Sequence, residues 1–485
     1  MAPTEGIIDF LVLGGGTAGI VGAKTAAGFG ARTVLVERER TGGDCLWTGC
    51  VPSKTLLSAA AQARTLRMQA GQEPDFAAVR ERIATAIRTI EPVDTPEALE
   101  QAGVKVLSGR VTFTGPGTAD LDGRPLRFRQ ALIATGGQPA EPGIPGLHPA
   151  RTVTSETVWD LASLPDRLAI VGGGPIACEL GQAFARLGSD VTMIVRSRIL
   201  AKEIPEAVDI VRESLKADGV KILENSSITR ATSRGDAVRL QLADGTAVDA
   251  STVLLATGRI PRTTGLGLEH VGVSLDDHGH VITDSRMRTS NPLIWAAGDV
   301  TTHPQFTHLA GVHASVAASN AVLGLRRRIS TAVPRVTYTS PEIAAVTSTG
   351  SAEGQAEAAR TVWHSRLDRA ITEDRTDGFT RLLVGRGGRV IGGTIVGPRA
   401  GESLAELSLA VHKKLRTSDI AGATHAYPTY SDGVWNAAVL DVRERLRSPL
   451  TGTAIKVLSR IRRLTIDSRR ISPKPGTPPG SGGQH

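Results

Sequence analysis

The stretch Ile7-Ile8-Asp9-Phe10-Leu11-Val12-Leu13-Gly14-Gly15-Gly16-Thr17-Ala18-Gly19 decides the fold. Its first seven residues form a short, mostly apolar run, suited to a parallel strand buried on both faces. The glycines follow at once, and an Ala-rich helix is expected to about Phe29. A second strand, Thr33 to Val36, then ends at Glu37. These are the parts of a βαβ dinucleotide-binding unit, in order. Gly14 permits the tight turn, Gly16 lets the backbone approach a pyrophosphate, and Gly19 lets helix and strand pack closely. The helix N-terminus turns free N–H groups towards the phosphates. Glu37, 18 residues after Gly19, is placed to accept hydrogen bonds from a ribose diol.

The unit recurs. Leu168 to Val171 reads as a strand, Gly172-Gly173-Gly174-Pro175-Ile176-Ala177 as a loop, and a helix to about Leu187 leads to a strand from Val191 to Val195. Gly172, Gly174 and Ala177 take the three fingerprint positions. The same 18-residue step, counted from Ala177, lands on Val195 rather than on an acid, and Arg196 and Arg198 follow. An acid repels a 2′-phosphate, whereas arginines bind one. The second unit is therefore expected to prefer NADP(H) to NAD(H).

A chain of 485 residues suggests about three domains. Three cysteines cannot form a disulfide framework. No apolar run approaches the roughly 18 residues of a membrane span, and the strand at Ile7 leaves no room for a signal peptide. A cytoplasmic α/β protein is expected. The net charge of +8 has a clear location. From Arg447 onward there are eight basic residues and one acid, Asp467, a net +7, so the rest of the chain carries +1. No nucleic-acid partner is expected of a nearly neutral body. Within the tail Val457, Leu458, Ile461 and Leu464 share a helical face opposite Lys456, Arg460 and Arg463, a pattern that allows weak contact with an anionic membrane. The Pro- and Gly-rich end, Pro473 to Gly480, is expected to be disordered.

Directly after the first unit comes Gly42-Gly43-Asp44-Cys45-Leu46-Trp47-Thr48-Gly49-Cys50-Val51-Pro52-Ser53-Lys54. In a regular helix, five residues rise ~7.5 Å and leave two side chains about 140° apart. A disulfide needs Cα atoms roughly 4.4–6.8 Å apart, so bridging Cys45 and Cys50 requires a distorted turn, which Gly49 eases. In a reducing compartment such a pair points to catalysis, and a helix start with Lys54 nearby favours the thiolate. No metal site is expected. The two thiols lack a second ligand pair, and His303, His308 and His313, five apart, do not share a helical face.

Two nucleotide units plus this CxxxxC pair resemble the FAD-dependent pyridine nucleotide-disulfide oxidoreductases. The likeness is greatest to the mercuric reductase-like and dihydrolipoamide dehydrogenase-like branch. Ala134-Thr135-Gly136 and Ala256-Thr257-Gly258-Arg259 are similar to the family's two ATG strand ends, which brings Thr135, Gly136 and Gly258 to the cofactor sites. Ala297-Gly298-Asp299 matches the segment whose aspartate binds the flavin's ribityl chain, and Tyr338-Thr339-Ser340-Pro341-Glu342 resembles the opening of the interface domain. The resemblance implies an α/β fold with two Rossmann-like nucleotide-binding domains plus a C-terminal α+β dimerisation domain. FAD would occupy 1–150 (completed by 286–330), NAD(P)H 151–285, and the dimer interface 331–446, with 447–485 a basic, largely disordered tail. It also implies hydride transfer from NADPH to FAD and onward to a Cys45–Cys50 disulfide. Cys50 would lie nearer the isoalloxazine and Cys45 would meet the acceptor, with Lys54 and Glu179 close to flavin N5.

One segment departs from the pattern. Thiol-disulfide members carry His-x-His-Pro-Thr-x-x-Glu near the C-terminus, reaching the cysteines of the other subunit of a homodimer. Here it reads His425-Ala426-Tyr427-Pro428-Thr429-Tyr430-Ser431-Asp432, so Tyr427 and Asp432 stand at the catalytic positions. A phenol of pKa ~10 is a poor base at neutral pH, whereas imidazole near ~6.5 is well matched. Mercuric reductases end in a further cysteine pair, and no cysteine follows Cys178 here. The acceptor is therefore open. It is a small disulfide, an oxidised sulfur compound or a metal ion reduced at Cys45, or a quinone or dye reduced at the flavin. Dihydrolipoamide dehydrogenase, true mercuric reductase, and a redox sensor or membrane-docked interaction protein are the remaining readings.

Overall fold

The computed structural model describes residues 6–348 and 356–471. The strand Ile8–Leu13 lies inside a seven-stranded sheet. Across that sheet run Val104–Ser108, Thr33–Glu37, Ile8–Leu13, Arg124–Ile133, Thr118–Leu121 and Val111–Gly115. The first four are parallel and the last two fold back antiparallel. Successive side chains point to opposite faces. Leu11 and Leu13 join the core that holds Val34 and Val36, while Phe10 and Val12 join the other core with Leu35. Both faces are covered, which is why the strand reads as an unbroken apolar run.

On the second face pack the helices Thr17–Gly28 and Thr307–Leu323, through Ala18, Ile20 and Ala23 of one and Ala310, Ala314 and Ala317 of the other. Alanine and glycine let them lie close to the sheet. A Cβ on Gly22 would stand 2.4 Å from Leu132 Cδ2. The chain returns to this sheet late, when Ile294–Ala296 pairs in parallel with Arg124–Ile133, Trp295 opposite Leu132. Asp299 follows three residues beyond that strand.

The second nucleotide unit builds its own parallel sheet, in the order Lys221–Leu223, Asp190–Ile194, Arg167–Val171, Thr252–Leu255 and Thr152–Thr154. The helix Pro175–Leu187 buries Ala177, Leu180, Ala183, Phe184 and Leu187. An antiparallel sheet of Ile228–Arg234, Ala237–Leu242 and Ala247–Ala250 contributes Val238, Leu240 and Ala250 to a core shared with Ala169 and Val253. Both parallel sheets belong to one compact unit, which runs to Ala345 and takes in Val396–Glu402.

The other unit comprises Val346–Ile395 and the chain from Ser403. Its strand Phe379–Gly385 lies between Ala358–Trp363, antiparallel, and Arg389–Gly397. The helix Asp432–Leu446 buries Val434, Ala437 and Ala438 completely. Asp441, fully buried on that helix, accepts from Arg360 (3.1 Å), Arg445 (2.7 Å) and the Thr417 hydroxyl (2.7 Å). The tail corrects an expectation. Instead of a largely disordered appendage, Pro449–Ile471 is a 23-residue α-helix. Residues 453–466 contain neither Gly nor Pro and place apolar residues at helical spacing, so local propensity suffices. The segment Pro473 to Gly480 lies outside the described residues. Among the described residues, no helix is long and apolar enough to cross a membrane.

Candidate active site

Cys45 sits on the short helix Gly43–Trp47, and Cys50 begins the helix Cys50–Ala70. Thr48 and Gly49 break the helical path between them, and a Cβ on Gly49 would meet the Asp44 carbonyl oxygen at 2.7 Å. This break brings the two free thiols into mutual hydrogen bonding, which one continuous helix would prevent. The Cys50 Sγ also lies 3.3 Å from Thr307 Oγ1. The bond from Cys45, then that from Thr307 and the charge of Lys54, bring Cys50 down to about 6 against the cost of burial. Its place at a helix N-terminus acts in the same direction. Cys45 moves the other way, because its bond to Cys50, its burial and the Cys50 charge all push its thiol well up. The two groups are thus pushed in opposite directions, Cys50 towards the thiolate and Cys45 towards the thiol.

Lys54 is one helical turn beyond Cys50. Its Nζ lies 2.9 Å from Glu179 Oε2 and 4.2 Å over the ring of Tyr338. Glu179 Oε1 accepts the Tyr338 backbone N–H at 2.9 Å, and only 7% of the Glu179 side chain is exposed. This is a half-buried, doubly engaged pair rather than a surface ion pair. Trp159 Nε1 donates to the Thr48 carbonyl at 2.9 Å and so fixes the loop between the cysteines.

The first nucleotide loop fits FAD by its shape and donors. No side chain caps the helix Thr17–Gly28 at Gly16, so its first N–H groups are free for phosphate. Gly43, at φ +58°, passes so close that a Cβ would stand 2.5 Å from Gly16 Cα. Gly14, at φ +104°, makes the turn, and a Cβ on Gly19 would collide with Gly14 O. The Glu37 carboxylate accepts the N–H of Gly15 at 2.6 Å and of Glu39 at 2.9 Å, and borders a cavity of about 200 Å³ that Trp47, Leu107 and Ser108 also line. Thr135 donates its hydroxyl to Arg262 O, and Gly136, at φ +71°, leaves open space beside it. Burial pushes the Asp299 carboxyl up, against the pull of Arg259, whose Nε is 3.2 Å away. Arg259 also pairs with Asp44, and Arg262 with Glu156 at 3.1 Å.

The second loop fits a dinucleotide in the same way. Gly172 has φ +133°, no side chain caps the helix Pro175–Leu187 at Gly174, Ala177 is fully buried, and Gly258, at φ +127°, faces open space. Arg196 is exposed. Arg198 Nη2 donates to the carbonyls of Ala201 (3.0 Å) and Glu203 (3.4 Å). The two arginines are thus differently engaged. Among the described residues no group of three His, Cys, Asp or Glu side chains is placed to hold a metal ion. His308 contacts the Pro334 carbonyl, while His313 is buried and pushed down to about 4.

In the other unit, Tyr427 donates its hydroxyl to Asp368, which raises its phenol pKa. The charge of Asp432 adds to that rise. Asp432 is buried and accepts the Thr429 N–H at 2.9 Å, bracing its own turn. His425 Nε2 lies 2.7 Å from Glu406 Oε1, and Tyr430 donates to Glu373 at 2.9 Å. The sequence carries no signal for Thr307 or Asp368, each remote from its partner along the chain. Asp44 and Arg259 lie in the segments Gly42–Lys54 and Ala256–Arg259, whose sequence patterns assign them no role.

Residues 8–314 match the pyridine nucleotide-disulphide oxidoreductase family, and residues 333–438 match its dimerisation domain. The chain belongs to this family. The oxidoreductase is 36% identical to a mercuric reductase of Streptomyces lividans over 452 residues, 89% of this chain and 95% of that protein. It is 33% identical to a dihydrolipoyl dehydrogenase of Chlamydia muridarum over 463 residues, 91% of this chain and 98% of that one. The solved structure of LpdA from Mycobacterium tuberculosis superposes with a TM-score of 0.81 at 28% identity, covering 89% of the oxidoreductase and 99% of LpdA. Members of the family are flavoproteins that use FAD and NAD(P)H.

Proposed function

We propose that this oxidoreductase takes electrons from NADPH and delivers them through Cys45 and Cys50 to a small disulfide, oxidised-sulfur or metal-ion acceptor. The observation that carries the reading is the placement of the thiol pair, with Cys50 at the first position of its helix, 3.3 Å from the Thr307 hydroxyl and one turn before the Lys54–Glu179 pair, a setting that favours its thiolate. FAD, when bound, supplies the two-electron relay between the nicotinamide and the disulfide. Gly14, Gly16, Gly19, Glu37, Thr135, Gly136 and Asp299 would hold it. Gly172, Gly174, Ala177 and Gly258 would hold the nicotinamide dinucleotide, with Arg196 and Arg198 at a 2′-phosphate. Lys54 keeps a positive charge against the redox helix, and Glu179 fixes its direction. At a disulfide acceptor, Cys45 attacks one sulfur and forms a mixed disulfide while its proton goes to the first thiolate expelled; Cys50 then attacks the Cys45 sulfur, which closes the Cys45–Cys50 disulfide and releases the second thiolate. In a homodimer, Tyr427 and Asp432 of the partner subunit would complete this site. The domain limits 1–150 with 286–330, 151–285 and 331–446, and a cytoplasmic setting that keeps thiols reduced, belong to the same proposal.

An anaerobic titration with NADPH and NADH, followed by lipoamide, glutathione disulfide, Hg(II) and quinones as acceptors, tests it. The expected result is a preference for NADPH and loss of acceptor turnover in Cys45→Ser. A second reading, quinone or dye reduction at the flavin with secondary cysteines, draws on one observation. The phenol of Tyr427 is bonded to Asp368, so the position of the usual imidazole offers no ready proton acceptor. Under that reading Cys45→Ser keeps its turnover.

A further inference from the structure

The helix Pro449–Ile471 carries an apolar strip open to solvent. Val457, Leu458, Ile461 and Leu464 are 52%, 64%, 54% and 64% exposed. A helix of a globular domain buries such a strip against its core. At 3.6 residues per turn the four side chains fall within an arc of about 120°, with Ala454 inside it. Arg460 stands about 40° beyond Leu464 on one edge, and Arg462 about 40° beyond Leu458 on the other. Lys456 and Arg463 continue the charged face past Arg460, and Ile455 and Ile466 lie beyond Arg462. The only acid in this helix sequence is Asp467.

We propose that this helix lies flat on an anionic lipid surface, with its apolar strip at the acyl boundary and its flanking arginines at the lipid phosphates. Charge complementarity selects this occupant over a second copy of the helix. Pairing two such strips would align rows of arginine along both edges of the seam, with one aspartate per chain to answer them. A layer of lipid phosphates answers every cation at once. Long arginine stems lie along apolar surface while their heads stay in the polar layer, so residues at the two edges suit an interfacial depth. The helix, about 34 Å long, lies along the surface, since its charges forbid a crossing.

The test uses the full-length holoenzyme, sedimented with vesicles of equal parts phosphatidylglycerol and phosphatidylcholine, or of phosphatidylcholine alone. Wild-type protein is expected to pellet with the anionic vesicles only, and less so as salt is raised. Each cation near such a surface is worth about fivefold in binding, so the combined change Arg460→Glu, Arg462→Glu and Arg463→Glu is expected to weaken binding by at least about 100-fold. Leu458→Gln, Ile461→Gln and Leu464→Gln together are expected to abolish it. Both variants should reduce an artificial dye with NADPH at the wild-type rate, which reports an intact body. Wild-type protein that stays in solution with anionic vesicles overturns the proposal. So does binding that survives the glutamine changes. A particle mass that falls with those changes in a protein indifferent to vesicles would assign the strip to a second copy instead.

Discussion

Lys54 and Glu179 come from different nucleotide-binding units and meet at 2.9 Å, joining the helix that begins at Cys50 to the helix that follows the second glycine loop. Further along the same two helices, Arg64 and Arg186 converge on Asp218 at 2.6 and 2.8 Å. The redox helix is thus held twice against the unit expected to carry the electron donor. The lysine sets its charge one turn from the Cys50 thiolate.

Replacing Lys54 by Met removes that charge and leaves Glu179 without its cation. Reduction of the bound flavin by NADPH, followed by rapid mixing, is expected to slow by about tenfold or more. Stability should fall by only about 1–2 kcal/mol, because 38% of the Lys54 side chain faces water and the pair is partly screened. Glu179→Gln keeps the acceptor for the Tyr338 N–H and should be milder in both assays.

The Cys50 thiolate owes most to the hydrogen bond from Cys45. In the reduced enzyme, alkylation of Cys50 by iodoacetamide is expected to rise with an inflection near the value of about 6. The sign for Cys45→Ala is fixed. Losing a donor to the charged form raises the pKa, so the inflection moves to higher pH. An unchanged profile would assign the thiolate to another cause.

Arg196→Leu is expected to raise the KM for NADPH about tenfold and leave that for NADH unaltered, since a solvent-facing arginine spends its charge on the ligand alone. Arg198→Leu also breaks bonds to Ala201 and Glu203, so both KM values and the melting temperature should change.

Tyr427→His places an imidazole where thiol-disulfide relatives carry one, with Asp368 available to orient it. Lipoamide turnover is expected to rise by about tenfold or more, with a rate limb set by a group near ~6.5. The wild-type enzyme should lack that limb.

Gly43→Ala would bring a Cβ to 2.5 Å from Gly16 Cα at a φ of +58°. The left-handed backbone alone costs about 1–2 kcal/mol, and the clash adds to it. The purified variant is expected to hold less than one FAD per chain, measured by absorbance after denaturation, with a lower Tm.

The two βαβ units were legible because their signals are local. A strand, three glycines and a helix lie within about twenty residues, and burial on both faces leaves a continuous apolar run. The cysteine loop was legible for the same reason, including the need for a break at Gly49. Thr307 was not, because its hydroxyl reaches Cys50 across 257 residues of chain. Motif spacing placed Tyr427 and Asp432 at the family's two catalytic positions but gave no sign that Asp432 braces its own turn or that Asp368, from another element, meets the phenol. The tail misled through composition. Basic and polar residues suggested disorder, while the spacing of Val457, Leu458, Ile461 and Leu464 already described a helix.

The strand Ile294–Ala296 imposes a timetable on biosynthesis. The first sheet lacks one of its seven strands until nearly three hundred residues have left the ribosome, and Asp299 comes after that. Closing a contact across about 160 residues is slow compared with making a hairpin. The second nucleotide unit has all of its strands between Thr152 and Leu255, so its sheet can close before the first one does. Nascent chains stalled before Ile294 would therefore expose an unfinished edge beside Arg124–Ile133, the kind of edge that invites aggregation and chaperone binding.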